Sequence, residues 1–311
     1  MKKLISTVLA AALTLSLAAC GSTAASSTSE AASGSEVAST ASSETASDAS
    51  DAVDFTGDGY DAAVDYASLA GTTIKVAASP VPHAEILKVA GDILAKADIT
   101  LDVVEYTDYV QPNLVTESGE VDANYFQHGP YLEDFNEKNN THLVSVAAIH
   151  SEPFGLYPGK TKSLDDLADG AKIAVPNDAT NEARALQLLA AQGIITLKED
   201  AGLAATKNDV VDNPHNIELV EMEAAQLPRT LSDVDFAVIN GNYALQADLN
   251  ASEDSLITEN PDYAKVYVNV VACRSGEENS DKIQALKKAL QSDDVKKYVD
   301  ETYKGAVVTV F

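Results

Sequence analysis

The sequence predicts an α/β fold of two lobes around a cleft. Three observations predict it. Short apolar runs alternate with stretches of helical periodicity over most of the chain, and that order belongs to mainly parallel, doubly wound sheets flanked by helices. The chain has 311 residues, 45% of them hydrophobic, which is enough core for about two domains. Polar and aromatic residues recur just past the predicted strands, where such sheets bind ligands.

The chain opens with a positive stretch, Met1-Lys2-Lys3, and an apolar run from Leu4 to Ala18 that is too short and wrongly flanked for a stable membrane span. The run ends in Leu17-Ala18-Ala19-Cys20-Gly21, which resembles a bacterial lipobox. Residues 1–19 then read as a lipoprotein signal peptide, and Cys20 as the lipidated N-terminus of the mature chain. Ser22 to about Ser50 is almost wholly Ser, Ala, Thr, Glu and Gly, and acidic character continues to Asp65. Residues 20–71 are therefore expected to form a disordered tether. The run from Asp54 to Asp65 departs from a calcium loop at its third and twelfth positions.

The first lobe is assigned to 72–151 plus 262–311, and the second to 152–261. In the first, Thr73–Ala78, Leu101–Tyr106, Val121–Phe126 and Leu143–His150 read as strands. Helical spacing covers Ala84–Lys96 and Tyr109–Ser118. In the second, Leu156-Tyr157, Lys172–Val175, Ile217–Met222 and Phe236–Asn240 read as strands. Ser163–Leu167, Asn181–Gln192, Asp209–Asn213, Gln226–Leu231 and a segment opening at Tyr243 read as helices. Tyr267–Ala272 is a strand able to return to the first sheet, and Lys282–Gln291 and Asp294–Tyr303 are amphipathic helices with lysines in their last turns.

A net charge of −27 argues against nucleic-acid binding. With Cys20 in a processing role, Cys273 is a lone thiol in an apolar run and reads as a buried structural residue. No Gly-x-Ser-x-Gly elbow, phosphate loop or dinucleotide fingerprint occurs in the sequence, and the five histidines lack metal-ligand spacing. The expectation is a non-enzyme without metal or cofactor.

Candidate site residues come from three places. Pro176-Asn177-Asp178 breaks a strand, and Thr180 or Asn181 is placed to cap the helix that follows. Asn181 and Arg184 then share one helix face. A helix N-terminus, an Asn amide and a guanidinium suit a small carboxylate, although an ordinary capped helix with a solvated Arg has the same pattern. Aromatics are only 6% of the chain, yet Tyr109, Tyr125, Phe126 and Tyr131 fall close together beside His128. They read either as core or as a pocket wall. Asn240-Gly241-Asn242-Tyr243 follows another predicted strand.

Six motifs in one order carry a family resemblance: Ser79-Pro80-Val81-Pro82-His83-Ala84-Glu85, Asp108-Tyr109-Val110-Gln111-Pro112-Asn113, Asp122-Ala123-Asn124-Tyr125-Phe126-Gln127-His128, Pro176 through Leu186, Leu227-Pro228-Arg229 and Val238 through Ala244. From about Thr72 to Phe311 the chain resembles the NlpA-type methionine-binding lipoproteins, substrate-binding components of methionine ABC importers. The resemblance implies a two-lobed periplasmic-binding-protein fold of type II character, with the ligand cleft between the lobes. It implies pocket roles for Tyr109, Phe126, His128 and Tyr131, and carboxylate-holding roles for Asn181 and Arg184. Asn240 and Asn242 would hold the backbone end of the ligand, with His83 and Glu152 at the rim or behind it. The implied protein sits on the outer face of a bacterial cell membrane by its lipid and passes L-methionine to a permease driven by an ATPase. The alternatives are a related amino acid or methionine derivative as ligand, a surface adhesin that needs no small ligand, or a hydrolase of small amides.

Overall fold

The computed structural model describes residues 53–311. The signal peptide, Cys20 and the tether up to Ala52 lie outside the described residues. In chain order the strands are β1 (Thr73–Ala78), β2 (Thr100–Glu105), β3 (Ala123–His128), β4 (Leu143–Ser151), β5 (Gly155–Pro158), β6 (Lys172–Pro176), β7 (Thr196–Leu197), β8 (Val210–Asp212), β9 (Glu218–Met222), β10 (Phe236–Ile239), β11 (Ile257–Thr258), β12 (Asn269–Arg274) and β13 (Val308–Thr309). The helices are α1 (Tyr66–Leu69), α2 (Glu85–Ala95), α3 (Gln111–Glu117), α4 (Gly129–Asn139), α5 (Ala179–Ala191), α6 (Leu227–Thr230), α7 (Gly241–Gln246), α8 (Ala251–Asp254), α9 (Pro261–Ala264), α10 (Asp281–Leu290) and α11 (Asp293–Tyr303).

Two principal sheets form. The first has the order β13-β4-β12-β3-β1-β2, and the second β11-β5-β10-β6-β9. Each combines parallel and antiparallel neighbours, so the sheets are mixed. Strand directions explain the pattern. In the first sheet β1 to β4 run one way, and β12 lies between β3 and β4, antiparallel to both. In the second sheet β5 lies between β10 and β11 and is antiparallel to both. β5 and β12 are the first strands the chain enters after crossing between sheets, β5 straight from β4 and β12 after α9.

The first sheet packs against α2, α10 and α11. Ile86, Leu87, Ala90, Ile93 and Leu94 of α2 form one buried stripe, spaced so that they share a helix face. A second core lies between the second sheet and α5, through Ala183, Leu186 and Leu189.

Three expectations are corrected. Residues 53–71 are not tether: Tyr60, Val64, Tyr66 and Leu69 are buried in the first core, Phe55 stacks on Tyr66 at 4.7 Å, and the Tyr60 hydroxyl donates to Ile93 O at 2.8 Å. These few aromatic and aliphatic groups stand among acidic ones, so composition masked their capacity to pack. Residues 210–212, expected as helix, form β8 and pair with β7. Lysines occupy the last turn of α10 (Lys287 and Lys288) but not that of α11. In addition α4, which the sequence reading left without an element, fills the segment after β3. Cys273 is fully buried in β12, and burial pushes its thiol up to about 11.

Candidate functional site

β3 delivers two of the expected side chains. Its register with β12 steps from Gln127↔Val270 to Tyr125↔Val271, which leaves Phe126 as the extra residue of a β-bulge. A bulge re-aims a side chain. Tyr125 joins the main core of the first lobe, while Phe126 packs with Tyr131 and Phe135 in a separate apolar cluster that Tyr109 also touches. Ring centroids of Tyr109 lie 6.0 Å from Phe126, 5.8 Å from Tyr131 and 5.0 Å from Tyr243. His128 ends β3 and caps α4, its Nδ1 accepting from Tyr131 N–H at 3.1 Å. Nε2 therefore carries the proton and donates to Asn181 Oδ1 at 3.1 Å. Burial, joined by the charge of Arg184, pushes the imidazole pKa down to about 3, so it is neutral at ordinary pH.

Asp178, not Thr180 or Asn181, caps α5 by accepting from Asn181 N–H at 3.0 Å. Asn181 Nδ2 lies 2.9 and 3.0 Å from the two Asp178 oxygens and donates one proton between them. Its Oδ1 accepts from His128 and, at 3.0 Å, from Asn240 Nδ2. The two Asp178 oxygens flank a single amide proton, so the second Nδ2 proton has no protein partner among the described residues.

Arg184 is 2% exposed and lies one turn further along α5. Its Nε and Nη2 donate to the Glu259 carboxylate at 2.9 and 2.5 Å, and Nη2 also donates to Glu152 O at 2.8 Å. Phe154 and Tyr267 sandwich the guanidinium, with Cζ 4.0 and 4.3 Å from the ring centroids. The solvated arginine considered from the sequence is thus ruled out. Its bidentate edge belongs to Glu259, and only Nη1 lacks a protein partner among the described residues. Nη1 borders the cavity.

All eight side chains named from the sequence line one cavity: Tyr109, Phe126, His128 and Tyr131 from the first lobe, and Asn181, Arg184, Asn240 and Asn242 from the second. The space between their atoms, solvent at its mouth included, is about 340 Å³. Gln127, Glu152, Phe154, Gly241 and Asn269 complete the lining. Asn242 Oδ1 accepts from the Tyr109 hydroxyl across the lobes at 2.5 Å, and the Tyr243 hydroxyl donates to Thr107 O at 2.9 Å. Asn240 Oδ1 and Asn242 Nδ2 are buried without a partner, and leaving such groups unpaired costs roughly 1–3 kcal/mol each.

His83 does not line the cavity. It sits behind Asn269, with Nε2 2.9 Å from Asn269 Oδ1, and burial pushes its pKa down to about 4. His150 lies between Tyr125 and Glu152, its Nε2 2.7 Å from Glu152 Oε1. Burial pushes the Glu152 carboxyl upward, but the hydrogen bond from His150 and the charges of His83, His150 and Arg184 outweigh it and hold the pKa below its usual value. His83, His150 and Glu152 are close enough to hold a metal ion. The two Nε2 atoms are engaged with Asn269 and the carboxylate instead, while His83 Nδ1 is buried without a partner.

The NlpA lipoprotein family profile matches residues 74–311. The D-methionine-binding lipoprotein MetQ of Escherichia coli is 40% identical over 223 residues, covering 71% of this chain and 80% of that protein. A solved chain described as a lipoprotein from Ruminococcus gnavus is 57% identical, with a TM-score of 0.76 over 77% of this chain and 99% of that one. A nutrient-binding protein from Burkholderia cenocepacia, solved bound to methionine, is 42% identical, with a TM-score of 0.73 over 76% of this chain and 100% of that one. With the two-lobed α/β architecture and these matches together, the chain belongs to the NlpA lipoprotein family.

Proposed function

We propose that this protein is a lipid-anchored, extracytoplasmic solute-binding protein that captures methionine and delivers it to an ABC permease. One observation carries the reading. Three polar groups without protein partners, Arg184 Nη1, Asn242 Nδ2 and Asn240 Oδ1, converge on one cavity beside a slot of aromatic rings. Two donors suit a carboxylate, and the acceptor suits an ammonium. Phe126, Tyr109 and Tyr131 suit a thioether, whose contact with rings contributes about 0.3–1.5 kcal/mol. The methionine in the Burkholderia relative and the ligand named for MetQ support the same choice.

The geometry refines the roles the resemblance implied. Arg184 grips the carboxylate through Nη1 alone, because Glu259 occupies its other edge. Asn181 positions His128 and Asn240 through Oδ1 and keeps one amide proton for the carboxylate. The lobes approach each other over the ligand, which completes the unpaired groups and favours the closed form. Cys20 would carry the anchor. No described helix is long and apolar enough to cross a membrane.

Isothermal titration with methionine tests the reading. Wild type binds, and Arg184→Ala loses about 2 kcal/mol or more. Unchanged affinity in that variant removes Arg184 from the carboxylate, and no binding of either methionine enantiomer by wild type rejects the ligand. Norleucine and selenomethionine bind within roughly 1–3 kcal/mol of methionine, because an apolar slot discriminates weakly.

A further inference from the structure

Away from the two connections, three side-chain hydrogen bonds join the lobes among the described residues: His128 to Asn181, Tyr109 to Asn242, and the Tyr243 hydroxyl to Thr107 O. The first two are made by side chains that line the cavity. The third stands apart. Neither Tyr243 nor Thr107 borders the cavity, yet the bond between them is 2.9 Å long. Tyr243 is buried and belongs to the second lobe's core, so its hydroxyl reaches across to the first lobe without a place at the ligand.

What it holds is the segment that carries Tyr109. Thr107 and Tyr109 share the loop between β2 and α3. Asp108 Oδ1 accepts from the Val110 and Gln111 N–H groups, both at 2.8 Å, which stiffens that loop. Fixing Thr107 therefore fixes Tyr109. The Tyr243 ring also backs Tyr109 directly, with centroids 5.0 Å apart, and Tyr109 packs against apolar clusters of both lobes. Tyr109 and Tyr131 line the ligand cavity and also a second hollow, whose rim residues Val110, Gln111, Asn177 and Glu223 are exposed. Tyr243 lines that outer hollow alone. The two rings are thus a partition between the cavity and solvent, and Tyr243 stands on its outer side.

We infer that Tyr243 is the latch of this partition: its hydroxyl holds the lobes closed over a bound ligand and sets how slowly that ligand leaves, without touching it. This rests on the methionine reading above. The partners sit on different lobes, so the bond is made on closure and breaks before Tyr109 withdraws. Ligand enters the open form, in which the bond is absent. Loss of the hydroxyl therefore speeds departure and leaves entry unchanged. Tyr243 is a positioning residue that acts through the 107–109 segment.

The test follows methionine binding and release by the purified full-length chain in stopped-flow fluorescence; the chain has no Trp, so the signal comes from tyrosine. Tyr243→Phe keeps the ring and raises koff about threefold to tenfold, the span of one neutral hydrogen bond. Its kon stays within about twofold of wild type. Tyr60→Phe is the control, because it deletes a hydroxyl that likewise donates to a backbone carbonyl, Ile93 O, but inside the first lobe. That variant has a lower urea midpoint and the koff of wild type. An unchanged koff in Tyr243→Phe, a loss carried by kon, or an equal rise of koff in Tyr60→Phe overturns the inference alone. So does a Tyr243→Phe chain that fails to fold, since the hydroxyl then serves the fold and not closure. Wild type that binds neither methionine enantiomer overturns the methionine reading and this inference with it.

Discussion

Arg184 shows what a single residue reveals in sequence and what it hides. Its position on the face of Asn181 was legible from a three-residue spacing, and it does line the cavity. Its counter-ion was not legible, because Glu259 lies 75 residues downstream in a loop with no motif of its own. Removing Glu259 leaves a buried guanidinium uncompensated, so Glu259→Ala costs about 3–5 kcal/mol of unfolding free energy, read from urea denaturation. Tyr109 offers a gentler probe. Tyr109→Phe keeps the ring and deletes the hydroxyl that donates to Asn242, so methionine binding falls by about 1 kcal/mol in titration calorimetry. Asp178 was visible as part of Pro176-Asn177-Asp178 and is a good capping type, yet the cap was placed two or three residues late. Its carboxylate sets the orientation of Asn181 as well as the start of the helix.

At the scale of elements, strands with apolar runs and helices with a clean stripe were legible. α2 and β1 lie within one residue of where periodicity places them. α4 was missed for two reasons. Gly129-Pro130 reads as a turn, although proline in the first turn suits a helix. Only Tyr131, Leu132 and Phe135 of the helix are buried, leaving little periodic signal. β8 was misread because a three-residue strand is specified by its partner β7 more than by its own residues. Close approach is equally invisible beforehand. A Cβ on Gly159 would sit 2.3 Å from Val234 O and 2.7 Å from Leu231 O. Backbone cannot yield as a flexible side chain does, so Gly159→Ala destabilises by about 1–3 kcal/mol, measured as a lower urea midpoint.

For the whole molecule, the two-lobed α/β plan was legible from element order, while the insertion of β5 and β12 against the prevailing strand direction was not. Packing of residues 53–71 carries a practical prediction. A chain starting at Thr72 loses the buried Tyr60, Val64, Tyr66 and Leu69 and is a few kcal/mol less stable than one starting at Asp51, as calorimetric melting would register. Acid also destabilises the fold. Folded His83 and His128 titrate near 4 and 3, below the usual value of about 6.5, so the unfolded chain binds protons in that window that the folded one does not. Each therefore removes about 1 kcal/mol per pH unit as the pH falls below about 6.5. Glu182, raised to about 7 by burial beside Glu221, acts in the opposite sense, but two histidines outweigh one carboxyl. Urea midpoints at pH 7 and pH 5 read the net loss.

The guanidinium of Arg184 is tied to Glu152 O on one inter-lobe connection and to Glu259, beside β11, at the start of the other. In the closure proposed above, a ligand on the remaining nitrogen would load both connections at once. A change at Glu259 would then reach both the grip on the ligand and the ease of closing, because one carboxylate sets the place of the guanidinium.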